Sequence, residues 1–242
     1  MIAIILAAGE SKRLRPLTES TPKCLLELDG KAIIDYQIDH LKSAGVKKSV
    51  VVTGFMAPKL ESHLTERHPD FEFTFIRSTD YQKTYPAHGL WLTKEFMESE
   101  FLYLNADVVF HPDILKRTLE SRHDTVTAIQ RNPWDEEAVN VILTNDSTQI
   151  AEIGKNIART LNDGEFIGVT KIGKEFSREL VKVLDHFIEK EEFKKFAADA
   201  INLAIQRRQE MHVIDVTDLP AIEVDTIEDF TVAQDKIKLI NA

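Results

Sequence analysis

The sequence predicts an α/β fold, a mixed, mostly parallel sheet with helices on both faces, and three observations point to it. The chain opens on an unbroken apolar run, Ile2-Ala3-Ile4-Ile5-Leu6. Strand-like and helix-like patterns then alternate regularly as far as residue 130. No Pro/Gly/Ser-rich linker and no internal repeat divides the 242 residues, so one domain (1–242) with a small embedded lobe is expected.

Each element has its own warrant. The run 2–6 reads as a strand, because a continuous β-branched stretch suits one covered on both sides. A loop follows from Ala7 to about Thr21, rich in charge and broken by Gly9 and Pro16. Ile34, Ile38 and Leu41 stand at i, i+4 and i+7, predicting a helix over 32–44 that Gly45 stops. Strands are expected at 49–53 and 71–76 with a helix over 58–66 between them. A helix over 90–98 and a strand over 101–104 come next, the strand running into Asn105-Ala106-Asp107. Pro112 suits the first turn of a helix through Leu119, and 124–130 supplies another strand.

The second half is less regular. Segments 139–143 and 149–153 flank Asn145-Asp146-Ser147 as a hairpin, and 166–172 is a further strand. Helices over about 174–188 and 193–208, short strands at 211–216 and 221–225, and a helix over 227–239 complete the series.

Composition excludes several roles. Forty acidic against 30 basic residues give a formal charge of −10, a poor balance for wrapping nucleic acid or docking on an anionic membrane. No stretch approaches the roughly eighteen apolar residues that span a bilayer. The apolar start lacks the positive flank of a signal peptide, so a cytoplasmic location is the default expectation. Cys24 stands alone and cannot form an internal disulfide. The charge is unevenly placed. Lys12, Arg13, Arg15 and Lys23 against Glu10 and Glu19 give residues 1–26 a net +2, leaving −12 for the remainder.

A buried strand entering a loop that opens toward a helix commonly cradles phosphate through backbone N–H groups and cations. Two familiar phosphate loops are absent: Ser11 and Leu14 stand where a dinucleotide fingerprint needs glycine, and no Gly-Lys-Ser/Thr follows as in a P-loop. What stands here is Leu6-Ala7-Ala8-Gly9-Glu10-Ser11-Lys12-Arg13-Leu14-Arg15-Pro16-Leu17-Thr18, then Pro22-Lys23. This resembles the signature loop of the nucleoside-triphosphate transferases, the sugar-phosphate nucleotidyltransferase superfamily. Ser11 replaces a usual second glycine, and Lys12 stands where a small hydroxyl residue is common. Ser11 still allows close backbone approach, with some strain if its φ is positive.

The resemblance implies a Rossmann-like fold, with a nucleotide-binding part over about 1–130 and an acceptor-side lobe over about 131–242. It implies that Leu6, Ala7, Ala8, Gly9, Glu10, Ser11, Lys12 and Arg13 line the triphosphate. The reaction attacks the α-phosphorus and expels pyrophosphate, so negative charge needs neutralising along the whole triphosphate. Arg13 suits bidentate contact with phosphate oxygens and Lys23 a compact charge near the reacting phosphorus, making these two the candidate catalytic residues. The bland alternative is a solvated loop serving solubility.

Such chemistry generally needs Mg²⁺ held by one or two carboxylates and the phosphates. Asp107 follows the C-terminal end of an apolar strand, where open α/β sheets place ligands, and Asn105-Ala106-Asp107-Val108-Val109 resembles the family's metal-binding element. Asp225, in Glu223-Val224-Asp225-Thr226, resembles the second metal carboxylate. Asp107 has a competing reading as a turn residue, and Asp225 as a helix N-cap with Glu228 closing a capping box.

Three features resemble the small phosphocholine-type cytidylyltransferases. The chain ends soon after the second metal strand, 223–230 looks like that subgroup's ending, and 196–202 looks like the helix start lining its pocket. These assign Glu223, Asp199 and Asn202 to the acceptor. Asp163-Gly164-Glu165-Phe166-Ile167-Gly168 resembles an acceptor-binding turn, adding Glu165 and Gly168. Lys171 is a candidate for the acceptor phosphate or a plain surface lysine. Trp91, Tyr85 or Trp134 would offer a cation–π face to an ammonium, or simply pack. In contrast, Pro86-Ala87-His88-Gly89-Leu90 is similar to the base-contacting loop of uridylyl- and thymidylyltransferases, which assigns His88 and Gly89 to the nucleotide. His40, His88 and His111 lack metal-ligand spacing.

Together these residues predict a Mg²⁺-dependent nucleotidyltransferase taking a nucleoside triphosphate, CTP by preference, and a small phosphorylated acceptor, with no nucleic-acid or membrane partner. Composition leaves room for a homo-oligomer. The rival enzyme is a sugar-1-phosphate uridylyl- or thymidylyltransferase. A catalytically silent nucleotide sensor is the rival from another class, and joint retention of Arg13, Lys23, Asp107 and Asp225 counts against it.

Overall fold

The computed structural model describes residues 1–132 and 134–240. Strand β1 (Ile2–Ala7) leads through the basic loop to a ribbon of β2 (Glu27–Leu28) and β3 (Lys31–Ala32), then helix α1 (Ile33–Ser43). Next come β4 (Lys48–Thr53), α2 (Ala57–Arg67), β5 (Glu72–Arg77), α3 (Pro86–Leu92) and β6 (Phe101–Asn105). They are followed by β7 (Val108–Phe110), α4 (Pro112–Glu120), β8 (Val126–Gln130), β9 (Asn140–Leu143), β10 (Ile150–Gly154) and β11 (Gly164–Ile172). Helices α5 (Lys174–Glu189) and α6 (Ala197–Gln206), strands β12 (His212–Asp215) and β13 (Ala221–Glu223), and α7 (Ile227–Ile240) close the series.

The nine-stranded sheet runs β10-β9-β11-β6-β1-β4-β5, with β8 joined to β11 and β12 to β8. β1 lies between parallel neighbours, Leu6 opposite Val52 of β4 and Asn105 of β6. β11 enters antiparallel to β6, β8 and β9. The fold is therefore the mixed α/β architecture expected, with the parallel half carrying the basic loop.

Alternation along β1 explains why both faces are covered. Ala3 and Ile5 pack with Ile34, Ile38 and Leu41 of α1 and Ile114 of α4. Ile4, pointing the other way, packs with Leu90 of α3, Leu180 and Leu184 of α5 and Ile201 of α6. A third cluster joins Leu14 of the basic loop to Tyr36, Val109, Val224 and Ala233, Ile237 and Ile240 of α7. Leu14 is fully buried inside an otherwise charged, exposed segment, so it anchors the loop to the C-terminal helix. Among the described residues no helix is long and apolar enough to cross a membrane.

Besides the short β2–β3 ribbon, three elements near the cleft differ from expectation. The helix expected over 90–98 is α3, which starts at Pro86 because proline presets its first turn, and ends where Thr93 Oγ1 bonds back to Leu90 O. The helix expected from 193 starts at Ala197. Residues 193–195 pair instead with α3's entry, Phe193 O and Lys195 O accepting from the Tyr85 and Ala87 amides. Strand β7 was not expected. It pairs antiparallel with β13, placing Val108 opposite Glu223, and so brings the neighbours of Asp107 and Asp225 together.

Candidate active site

The strands β1 and β6 end beside a cleft of about 290 Å³. Its floor and one wall come from Leu6, Ala7, Ala8, Gly9, Ser11, Arg13, Lys23, Asp107, Glu223 and Asp225. The loop is shaped by backbone constraints. Ser11 sits in the left-handed region at φ 49°, its carbonyl accepting from Leu14 N and Thr18 Oγ1, the conformation where a glycine carries less strain. Ala8 O accepts from Phe55 N, and a Cβ on Gly54 would lie 2.6 Å from that oxygen, so the residue after β4 is glycine and lets the loop approach. Gly9 differs. A Cβ there would meet nothing within 4 Å, so no protein packing requires its glycine. Glu10 and Lys12 pair with each other at 2.7 Å outside the cleft lining.

The charged centre is compact. Lys23 Nζ lies 2.6 Å from Asp107 Oδ2 and 2.6 Å from Asp225 Oδ1. Arg13 takes the other oxygen of Asp225 at 2.7 Å and reaches Glu137 at 2.7 Å. Burial works against the Lys23 ammonium, but Asp107 and Asp225 more than offset it and raise its pKa. Burial alone would raise the Asp225 carboxyl, yet Lys23 first and then Arg13 pull it below the usual range. Glu223 is driven well above the usual carboxylate range, by burial and then by the negative charges of Asp107 and Asp225. One oxygen each of Asp107, Glu223 and Asp225 lie within 4.8 Å of one another.

The capping question at Asp225 has a clear answer. Thr226 and Asp229 form the reciprocal cap: Asp229 Oδ2 accepts from Thr226 N and Oγ1, and Thr226 Oγ1 accepts from Asp229 N. Glu228 takes no part in that cap, and both Asp225 oxygens are free to face the cations.

Among the remaining expected contacts, Gly89 and Glu223 line the cleft and the others are committed elsewhere. His88 packs its ring 5.8 Å from Trp91 and 6.0 Å from Phe193, outside the lining. Trp91 donates its indole N–H to Asp185. Glu165 accepts from Asn132, and burial raises its carboxyl. Gly168, at φ 70°, acts through a neighbour: a Cβ there would lie 2.6 Å from the Asn105 amide, whose side chain borders the cleft. Lys171 caps the end of α4, its ammonium 2.8 Å from Ser121 O. Asp199 accepts from Phe196 N at the start of α6, and Asn202 accepts from Ile153 N. Trp134 donates to Ile157 O.

Of the further lining residues, Lys155 and Tyr103 carried no sequence signal, whereas Tyr85 was a cation–π candidate and Phe166 and Phe196 lie in the two segments singled out for the acceptor. Lys155, just after β10, lies over the Phe196 ring and donates to Glu137 O at 2.7 Å. Tyr85, Phe166 and Phe196 form an aromatic wall, with the Tyr85 and Phe196 rings 5.0 Å apart. Tyr103 donates to Asn105 Oδ1 beneath them. Each comes from a different part of the chain.

Residues 3–164 match the MobA-like NTP transferase domain. A CTP:phosphoglutamine cytidylyltransferase of Campylobacter jejuni is 33% identical over 199 residues, 75% of this chain and 76% of that protein. The UTP–glucose-1-phosphate uridylyltransferase AglF of Haloferax volcanii is 32% identical over 157 residues, 63% of this chain and 64% of its own length. The solved CTP:phosphocholine cytidylyltransferase of Streptococcus pneumoniae superposes with TM-score 0.78 at 22% identity, covering 98% of this chain and 99% of that one.

Proposed function

This chain belongs to the MobA-like NTP transferase family and is a nucleotidyltransferase, and we propose that it transfers a cytidylyl group from CTP to a small phosphomonoester or phosphonate. The observation that carries the proposal is the junction of Lys23 with Asp107 and Asp225, next to Arg13, on the floor of the cleft.

In this proposal an oxygen of the acceptor phosphate attacks the α-phosphorus, and the bond from that phosphorus to pyrophosphate breaks. The nucleophile is already ionised, so no side chain need remove a proton. Arg13 and the amides of residues 8–11 hold the triphosphate in the space Gly9 leaves open. Lys23 faces the reacting phosphoryl group, and Lys155 is the cation available to the acceptor phosphate. Catalysis then consists of alignment and preorganised positive charge.

Asp107, Asp225 and Glu223 fit a Mg²⁺ ion. All are hard oxygen donors gathered at one point, and the buried Oδ1 of Asp107 has no hydrogen-bond partner. When bound, the ion would supply Lewis-acid charge on the phosphoryl oxygens. The preference for CTP rests on the Campylobacter relative and on the ending 223–230. Gly89 in the cleft lining and the Haloferax relative favour the uridylyl alternative.

Pyrophosphate release decides between them. CTP, UTP, dTTP, ATP and GTP are to be paired with phosphocholine, aminoethylphosphonate, phosphoglutamine, and inositol, glycerol and sugar phosphates, in Mg²⁺. Turnover with CTP and a small acceptor is expected. Preference for UTP or dTTP with a hexose 1-phosphate selects the alternative, and no turnover with any pair removes the enzymatic reading.

A further inference from the structure

We infer that Gln37, a buried residue of α1 remote in sequence from the charged centre, is a positioning residue that sets Asp107. Its side chain lies on the face that carries Ile34, Ile38 and Leu41 and is fully buried. A polar amide in such a stripe is unfavourable unless its hydrogen bonds are made. Its Nε2 donates to Asn105 O at 2.8 Å and to Val108 O at 2.7 Å, the two carbonyls on either side of the turn that carries Asp107. Because both neighbours are carbonyl oxygens, the nitrogen must face them, and Oε1 is left buried without a partner.

Two other groups of that turn are pinned by backbone. Ala106 N donates to Leu6 O of β1, and Asp107 O accepts from Val224 N next to β13. Gln37 ties the carbonyls of Asn105 and Val108, and it comes from a third element. The amide bridges the end of β6 to the start of β7, whose partner strand carries Glu223. An apolar side chain of similar volume would remove the orphan Oε1, but it would free the two carbonyls and the Asp107 turn with them. Retaining an amide with one unsatisfied end makes sense if its donors fix the carboxylate cluster.

This inference rests on the reading of Asp107 as a metal carboxylate, and binding measurements separate the two. CTP affinity (or UTP affinity, if that binds more tightly) is measured by calorimetry with Mn²⁺ and with EDTA, for wild type, Asp107→Asn, Gln37→Glu and Gln37→Met. Gln37→Glu keeps the shape without the donors, and Gln37→Met is the second variant should the first not fold. Ile201→Val, a buried core change outside the cleft lining, controls for lost stability. The gain in affinity due to Mn²⁺ should disappear in Asp107→Asn and fall about tenfold in a Gln37 variant, the scale of an outer hydrogen bond to a metal ligand, with the EDTA value unchanged. If Asp107→Asn loses the gain while a folded Gln37 variant stays within twofold of wild type, the inference about Gln37 is overturned alone. If Asp107→Asn keeps the gain, or wild type shows none, the metal reading falls and takes this inference with it. An equal loss in Ile201→Val would also overturn the role of Gln37.

Discussion

Lys23 and Lys171 are both largely buried lysines of this chain, and they do opposite things. The Lys23 ammonium lies between two carboxylates at the mouth of β6 and in the wall of the cleft. The Lys171 ammonium rests on main-chain carbonyls at the end of α4, outside the cleft lining. A lysine that closes a helix end satisfies orphan carbonyls and asks nothing more of its surroundings. One facing two acidic groups beside an open cavity holds a charge arrangement that an incoming phosphate can take over. The nature and location of the partners, rather than burial, separate a structural cation from a reactive one.

The contrast breaks most sharply at Lys23. Lys23→Ala should lower kcat by about 10²–10³-fold, the usual loss for one preorganised charge, with the melting temperature close to wild type. A parallel collapse of thermal stability would make Lys23 structural and erase the distinction.

A third buried base sharpens it through pH. Burial, and then the positive charge of Lys31, hold His40 down to about 4 from its usual 6.5. Its folded pKa lies below the unfolded one, so its stability contribution is complete above about 6.5 and is lost as pH falls toward 4. That loss reaches about 3 kcal/mol at most. Urea denaturation between pH 7 and 4 should show this slope in wild type and a flatter one in His40→Leu.

Lys171→Met should cost about 1–3 kcal/mol in urea denaturation by leaving carbonyls unsatisfied, with kcat unchanged. Lost activity at full stability would reverse the assignment. The smallest effect belongs to Glu137, an exposed carboxylate that Arg13 would leave in the proposed phosphate contact. Glu137→Gln should tighten nucleotide binding by no more than about fivefold, as read by calorimetry, the scale of a surface ion pair. Weaker binding would show that Glu137 orients Arg13.

The basic loop and the parallel half were legible because their determinants are contiguous. The apolar run 2–6, the cations at 12–23 and the periodic face of α1 all lie within short windows. Even the strain at Ser11 was foreseeable from its missing glycine. The acceptor side was not legible in this way. Asp199 and Asn202 have the right residue types, yet backbone amides at Phe196 and Ile153 claim their oxygens. Phe196, which opens the segment expected to line the pocket, does so, but Lys155 joins it through the packing of β10 on α6, which no local pattern encodes. Gln37 did leave a trace, a polar residue inside an apolar stripe, although nothing in the sequence says which carbonyls it meets.

The burial of Leu14 against α7 has a consequence for the order in which the protein can mature. Chains emerge from the ribosome N-terminus first, and their early segments begin to fold before the rest exists. Here the basic loop is among the first segments made, but its anchor, formed by Ala233, Ile237 and Ile240, is among the last. Asp225, the shared partner of Arg13 and Lys23, also arrives late. A nascent chain that has completed β1 through β11 would therefore possess most of its sheet and the Lys23–Asp107 pair, but neither Glu223 nor Asp225. Assembly of the full charged cluster is deferred until α7 docks, and an interrupted chain would be left without the arrangement on which the proposed turnover rests.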